Sequence, residues 1–169
     1  MFTILRTPRL ELREFTEADL PALHRILQEP GIFQYFPNPC APSLERVQRM
    51  IQEQVEQYRQ WGFGEWAVEQ KDKPGLLGWC GLNYLPETDE YEVAYLLSRN
   101  AWGNGYATEA ATASLNYGFS EVGLSRIIAL VHPENLASRR VAEKIGMTFL
   151  DMEFYWGMEC VKYIKRCED

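Results

Sequence analysis

The sequence is poor in everything that would mark a metal centre, a disulfide framework or a membrane anchor. Its four cysteines, Cys40, Cys80, Cys160 and Cys167, form no Cys-x-x-Cys pair, and His24 and His132 are its only histidines. Zinc needs ligands clustered at short spacing, so no metal is expected and the thiols read as reduced and structural. No apolar run approaches the ~20 residues that span a bilayer. The opening Met1-Phe2-Thr3-Ile4-Leu5-Arg6 lacks the apolar core and small-residue cleavage site of a secretion signal. A cytoplasmic protein with no membrane partner is therefore expected. Gly-Lys-Ser/Thr is missing, which excludes a nucleoside-triphosphate loop. With 17 Lys and Arg against 24 Asp and Glu, and no basic stripe, nucleic acid is not an expected partner. There is no repeat, low-complexity tract or Ser/Gly linker, so residues 1–169 read as a single domain, long enough to bury a core.

What is present divides into two textures. Leu10 to Phe15 alternates as a strand, and Thr16 then stands as the N-cap of a helix with Leu20, Leu23 and Leu27 on one stripe. Ser43 caps a second helix, whose Leu44, Val47, Ile51, Val55 and Tyr58 keep the spacing of an amphipathic face until Gly62. Glu65–Glu69, Leu76–Leu85 and Tyr91–Leu97, separated by the turns at 71–75 and 86–89, predict an antiparallel meander. Beyond it the pattern becomes strand, helix, strand, helix. A helix from about Gly105, with Ala107, Ala110, Ala111, Ser114, Leu115 and Gly118 on one small-residue face, leads to the apolar strand Arg126–Val131. Joined by that helix, Tyr91–Leu97 and Arg126–Val131 make a right-handed parallel βαβ crossover. A short helix over 135–145 and a hairpin of 147–154 with 158–166 close the chain. The fold class is α/β with a mixed, mostly antiparallel sheet.

The ten residues AWGNGYATEA, 101–110, carry the strongest signal. A helix N-terminus offers unpaired N–H groups and the positive end of the helix dipole, which suits phosphate, and glycines let an anion reach the backbone. Gly103, Asn104, Gly105, Tyr106, Ala107 and Thr108 thus read as a pyrophosphate cradle; the alternative for the glycine pair is a tight turn that packs helix on sheet. A dinucleotide fingerprint is excluded. Its glycines would follow the strand directly, with a third at position 108, whereas Ser98–Trp102 intervene and Thr108 stands there.

In context, this run resembles the acetyl-CoA loop of the GNAT superfamily of N-acetyltransferases, in the form WGNGYATEA of the branch that contains the ribosomal-protein N-terminal acetyltransferases. TPRLELREFTEADL, GEWAVEQ with LLGWCGL, and HPENLASRRVAEKIGM are similar to that branch's opening strand and helix, central hairpin and second CoA segment. The resemblance covers nearly the whole chain. It implies two parallel strands that splay apart around the acetyl-CoA arm, the pantetheine pairing with backbone near Leu96 and Leu97, and an oxyanion donor there. Trp102 stands where the wider superfamily carries Gln or Arg, which leaves the phosphates to backbone donors from Gly103 to Thr108.

The resemblance also implies that Asn135 contacts the CoA arm and that the Ser138 hydroxyl donates to the departing thiolate. The alternative for Asn135 is a helix N-cap, and for Ser138 a hydroxyl satisfied by backbone. Glu92 is the candidate general base, since an ammonium must lose a proton before it attacks. Its alternatives are a solvated glutamate or an ion pair, with Glu65, Glu69 and Glu90 in reserve. Cys80 has no histidine near it in sequence, so direct attack in a ternary complex is expected rather than a covalent acetyl-cysteine. The aromatic stretch Ile32–Phe36 and the Trp79 strand are placed to wall an acceptor site. The expected activity is acetyl-CoA-dependent transfer to a primary amine: a protein N-terminal α-amine, or a small polyamine, amino acid or antibiotic. A non-catalytic acyl-CoA-binding module stays open, as does the choice between monomer and homodimer.

Overall fold

A computed structural model describes residues 2–169; Met1, on which the N-terminal targeting reading begins, lies outside the described residues. Alternation over 10–15 produces a shorter strand, Leu10–Arg13 (β2), whose Leu10 and Leu12 are fully buried. It pairs antiparallel with Thr3–Arg6 (β1), a strand too short for its pattern to announce. Thr16 is followed by a 3-10 turn, Glu17–Asp19, so helix α1 begins only at Leu20 and runs to Leu27. Asp19 organises this entry. Its carboxylate accepts from the Thr16 N–H at 2.8 Å and from both terminal nitrogens of the buried Arg13 at 2.9 and 2.7 Å. Arg13 also meets Glu69 at 2.7 Å, which ties α1 to the sheet.

Ser43 caps helix α2, Leu44–Trp61, by accepting from the Arg46 N–H at 3.2 Å, and Gly62 ends it in the left-handed conformation. Val47, Ile51 and Tyr58 face inward as their spacing requires, but Leu44, in the first turn, is exposed. The meander forms as Glu65–Gln70 (β3), Lys73–Leu85 (β4) and Glu90–Leu97 (β5). Its first turn is only Lys71-Asp72, shorter than the five residues expected, because two register shifts in β3 absorb the extra residues of β4. Tyr106–Ser120 (α3), Arg126–Val131 (β6), Leu136–Lys144 (α4) and the hairpin Thr148–Tyr155 (β7) with Met158–Arg166 (β8) complete the chain.

The eight strands form one sheet in the order β1-β2-β3-β4-β5-β6-β8-β7, every pair antiparallel except β5 with β6. That parallel pair is the feature that positions the site. Its ladder holds only at Glu92 opposite Ile128, so the two strands stand apart over the rest of their length. One sheet face packs Cys80, Leu82, Val93, Leu97 and Ile127 against Ala110, Ala111 and Leu115 of α3. The small residues let α3 sit close: a Cβ on Gly118 would come within 2.7 Å of Ile127 Cδ1. The other face packs Ala67, Trp79 and Leu96 against Leu23, Leu27, Val47 and Ile51 of α1 and α2.

Candidate active site

The chain leaves β5 through Ser98 and a 3-10 turn, Arg99–Ala101, and enters α3 over Trp102–Gly105. Gly103 and Gly105 have φ of 75° and 77°, a region that disfavours any side chain. Nothing lies within 4 Å of a Cβ built on Gly103, and only Arg9 Nη2, at 3.4 Å, neighbours one on Gly105. The first helical hydrogen bond runs from the Glu109 N–H to the Gly105 carbonyl at 3.1 Å. The N–H groups of Tyr106, Ala107 and Thr108 therefore have no acceptor in the helix. This is a cradle that fits a pyrophosphate, built from backbone.

The neighbouring side chains hold the loop in shape. Trp102 donates its indole N–H to the Leu97 carbonyl at 2.8 Å, and the Asn104 carboxamide donates to the carbonyls of Ala101 and Trp102. What Asn104 offers a ligand is thus its backbone. Sequence reasoning missed Arg9. Its guanidinium bonds Glu109 at 2.7 Å and the Asn104 carbonyl at 2.8 Å, and lies 4.7 Å over the Tyr106 ring. Against the upward push of burial, hydrogen bonds from Thr7 and Arg9 hold the Glu109 carboxyl below its ordinary range. The charged pair fixes a cation at the lip of the cradle, a hundred residues away in sequence.

Glu92 is buried, on the sheet face covered by α1 and α2, directly opposite Asn83. Asn83 Nδ2 donates to Glu65 Oε1 at 2.7 Å, and Glu65 takes its own N–H to Gln54 Oε1 at 2.8 Å. The carboxamide of Asn83 thus stands between two carboxyls. Burial, followed by the charge of Glu65, pushes Glu92 up to about 8; burial, eased by Asn83, pushes Glu65 up to about 7. Among the described residues neither carboxyl has a cationic partner. Glu92 is neither a solvated glutamate nor half of an ion pair. The other reserves are committed elsewhere: Glu69 to Arg13, and Glu90 to the buried Lys162, each at 2.7 Å.

This pair dictates how stability follows pH. Both carboxyls bind protons more tightly in the folded chain than in the unfolded one, so their contribution is complete below the ordinary glutamate range and is lost as pH rises towards 7–8. Urea titrations of the unliganded protein should therefore give a midpoint that falls between pH 5 and pH 8.5. In Glu92→Gln the fall should be smaller; a midpoint that rises over this range would contradict the assignment.

Ser138 lies in the first turn of α4, and its hydroxyl meets the Tyr95 hydroxyl at 2.6 Å. Tyr95, on β5, is the second residue sequence reasoning missed. Burial pushes it up to about 12, partly offset by the bond to Ser138, so it is a protonated phenol at neutral pH. The bond joins β5 to the helix that follows β6, across the gap between the two strands. Asn135 is the N-cap of α4, its Oδ1 accepting from the Ser138 N–H at 3.2 Å, which leaves its NH₂ unused by that cap. The side chains of Leu96 and Leu97 are buried on opposite faces of the sheet. Contrary to expectation the Leu96 backbone is turned to β4, its carbonyl against Gly78, because alternate residues of β5 pair with β4; only the Leu97 backbone is turned to the gap, with its carbonyl accepting from the Trp102 indole. Cys80 is fully buried 3.5 Å from Ser114, and burial pushes its thiol up to about 12, a poor nucleophile. His132 accepts from the Glu134 N–H at 3.1 Å, a turn-capping role.

The aromatic stretch after α1 does reach this region. Phe33 and Phe36 pack edge to face at 5.2 Å, and Tyr35 stacks on His132, at the end of β6, at 5.3 Å. Glu29 accepts from the Ser98 hydroxyl and the Arg99 N–H, both at 2.7 Å, which ties the end of α1 to the loop that forms the cradle.

Residues 9–148 match the family model of the acetyltransferase (GNAT) domain. The chain is 34% identical over 147 residues to the uncharacterized N-acetyltransferase YoaA of Bacillus subtilis, covering 86% of this chain and 83% of that one. The crystal structure of a GNAT-family acetyltransferase from Bacillus anthracis superimposes with a TM-score of 0.85, at 28% identity and full coverage of both chains. RimL, a ribosomal L7/L12 alpha-N-protein acetyltransferase solved in complex with coenzyme A, superimposes with a TM-score of 0.83 over 98% of each chain; at 19% identity this likeness is one of fold. Among the described residues no helix is long and apolar enough to cross a membrane.

Proposed function

The chain belongs to the GNAT acetyltransferase family and is an N-acetyltransferase, and from that premise we propose that residues 1–169 act as one domain transferring acetyl from acetyl-CoA directly to the α-amine of a peptide. The observation that carries the choice of acceptor is Glu92: a buried carboxyl with no cation, held near 8 at the one point where β5 and β6 pair. A carboxylate buried without a cation can take one proton from an incoming ammonium. An α-ammonium ionises near 8 and a lysine side chain near 10.4, so far more of the α-amine is neutral at pH 7 and its proton is the easier one for a single carboxylate to remove.

Acetyl-CoA supplies the activated acetyl thioester. The N–H groups of Gly103 to Thr108, with Arg9 at the lip, bind its phosphates; the Leu97 N–H receives the extended arm, and the Asn135 NH₂ steadies it. Glu92 takes the proton from the incoming ammonium. Ser138 donates a proton as the thiolate leaves, and Tyr95, itself protonated, replenishes Ser138 and holds its rotamer. Ser138→Ala should lower kcat by roughly 10²-fold, and Tyr95→Phe by about 5–10-fold, the worth of one hydrogen bond, both with the KM for acetyl-CoA within about twofold. Steady-state kinetics at saturating amine measure this; equal rises in KM would assign both residues to binding alone.

The acceptor is tested by mass spectrometry on two peptide sets. Short peptides with free N-termini should be acetylated faster than N-blocked lysine peptides. Acetylation confined to lysine or to polyamines would remove the α-amine assignment.

A further inference from the structure

The outermost strand of the sheet carries large apolar side chains on its surface. β7 stands at the sheet edge beside β8, and its register shifts between Phe149 and Asp151. Leu150 is the extra residue of a bulge there, and it changes which side chains share a face. Opposite residues of an antiparallel pair point the same way, so Phe149 joins Tyr163, Met152 joins Val161 and Phe154 joins Glu159. Without the bulge, strict alternation would set Phe149 beside Asp151 and Glu153. Tyr163 and Val161 belong to the core that α3 and α4 cover. That cover stops short of β7: Phe149 is 60% exposed, Met152 41% and Phe154 75%. Asp151 and Glu153 stand on the opposite face, where Glu153 meets Lys162 at 3.3 Å.

We propose that this strip is the interface of a homodimer, in which two copies of β7 pack face to face about a dyad that runs along the strand. At these exposures the three side chains present roughly 350 Å², taking about 200 Å² for each. An apolar patch of about 300–600 Å² on a soluble chain is commonly functional. Two copies would bury roughly 700 Å² between these residues alone. Apolar atoms supply about 60% of an interface, so the whole reaches about 1,200 Å², the lower limit for a stable one. The strip also complements itself. A dyad along β7 sets Phe149, Met152 and Phe154 against the same residues of the partner, and leaves each α4 on its own side of the contact. Edge-to-edge pairing is the other way two outer strands meet. Centred on Met152, it would set Asp151 of each copy opposite Glu153 of the other, and like charges directly opposite are destabilising. Face packing turns all four carboxylates away from the contact.

Sedimentation equilibrium of the full chain, at concentrations up to roughly 100 µM, tests this, because the population of a dimer follows concentration. The wild-type protein should approach twice the 19.6 kDa of one chain. Phe154→Glu and Met152→Glu each place two carboxylates in the contact and should raise the dimer dissociation constant at least about 100-fold. Both positions lie on the surface of the monomer, so the far-UV circular dichroism of the wild type should be retained. Asp151→Lys, on the face turned away, should leave the constant within about threefold. A wild-type chain that stays at 19.6 kDa throughout overturns the proposal and leaves the strip to a partner of another kind. A dimer that survives both glutamate substitutions overturns it as well. A dimer tightened about tenfold or more by Asp151→Lys is paired edge to edge, which overturns the face packing.

Discussion

Glu92→Gln is expected to lower kcat by roughly 10²–10⁴-fold while acetyl-CoA binding stays nearly unchanged. The amide keeps the size of the side chain and a group for Asn83 to meet, but cannot take a proton. The pH profile carries the more specific expectation. In the wild-type enzyme kcat/KM should rise through about pH 7–8 as the carboxyl pair ionises. The limb belongs to Glu65 and Glu92 jointly, because two carboxyls that feel each other titrate as a pair. Glu92→Gln should remove the limb. Glu65→Gln should instead move it to lower pH, since the charge of Glu65 is one of the two causes that raise Glu92. Stopped assays of thiol release at fixed ionic strength, from pH 5.5 to 9.5, measure all three enzymes. An unchanged rate and limb in Glu92→Gln would hand the proton to another group.

Gly105→Val is expected to abolish most of the stabilisation that acetyl-CoA gives the fold. At a hundred times its dissociation constant the ligand should add ~2.7 kcal/mol by mass action. A valine at position 105 meets two obstacles: φ of 77° disfavours a β-branched residue, and its branches project beside Arg9 at the lip of the cradle. The first acts on the unliganded protein, by ~1–2 kcal/mol for a side chain in the left-handed region. The second acts only on binding. Chemical denaturation with and without acetyl-CoA separates them, because the unliganded variant supplies its own baseline. Gly103→Ala, with open space around its Cβ, should show the conformational loss with a smaller loss of binding. A ligand-induced shift that survives intact in Gly105→Val would make the loop a packing turn.

These two sites differ in how far the sequence disclosed them. The cradle was legible because every part of it is local: two glycines, a helix start and three free N–H groups fall within six residues. Local signals also marked Ser43, Gly62 and the apolar spacing of α2. Glu92 could be named as a carboxyl on the right strand, but its state could not, since that depends on Asn83 and Glu65 from two other strands and on the helices above. Arg9 and Tyr95 were hidden for the same reason. Arg9 reaches Glu109 across a hundred residues, and Tyr95 reaches Ser138 across the gap between β5 and β6. Tyr95 alternates with apolar neighbours like any core aromatic, and nothing in its own segment separates a packed ring from a proton donor. β1 escaped because four residues are too few for a period to show; Thr16 does stand as the N-cap, but the first turn after it is 3-10 and the Asp19 carboxylate, held by Arg13, takes the Thr16 N–H, so α1 proper begins one turn later.

The central claim is direct transfer of acetyl from acetyl-CoA to an amine, without an acetylated enzyme between them. It is tested most directly by one single-turnover experiment with enzyme in excess over acetyl-CoA that carries a labelled acetyl group, in the presence of a free N-terminal peptide. Free CoA thiol and acetylated peptide should appear together in equal amounts and at one rate, and protein quenched at every time point should carry no label. Label appearing on the protein before the peptide, at Cys80 or elsewhere, or thiol released in excess of acetylated peptide, would contradict it.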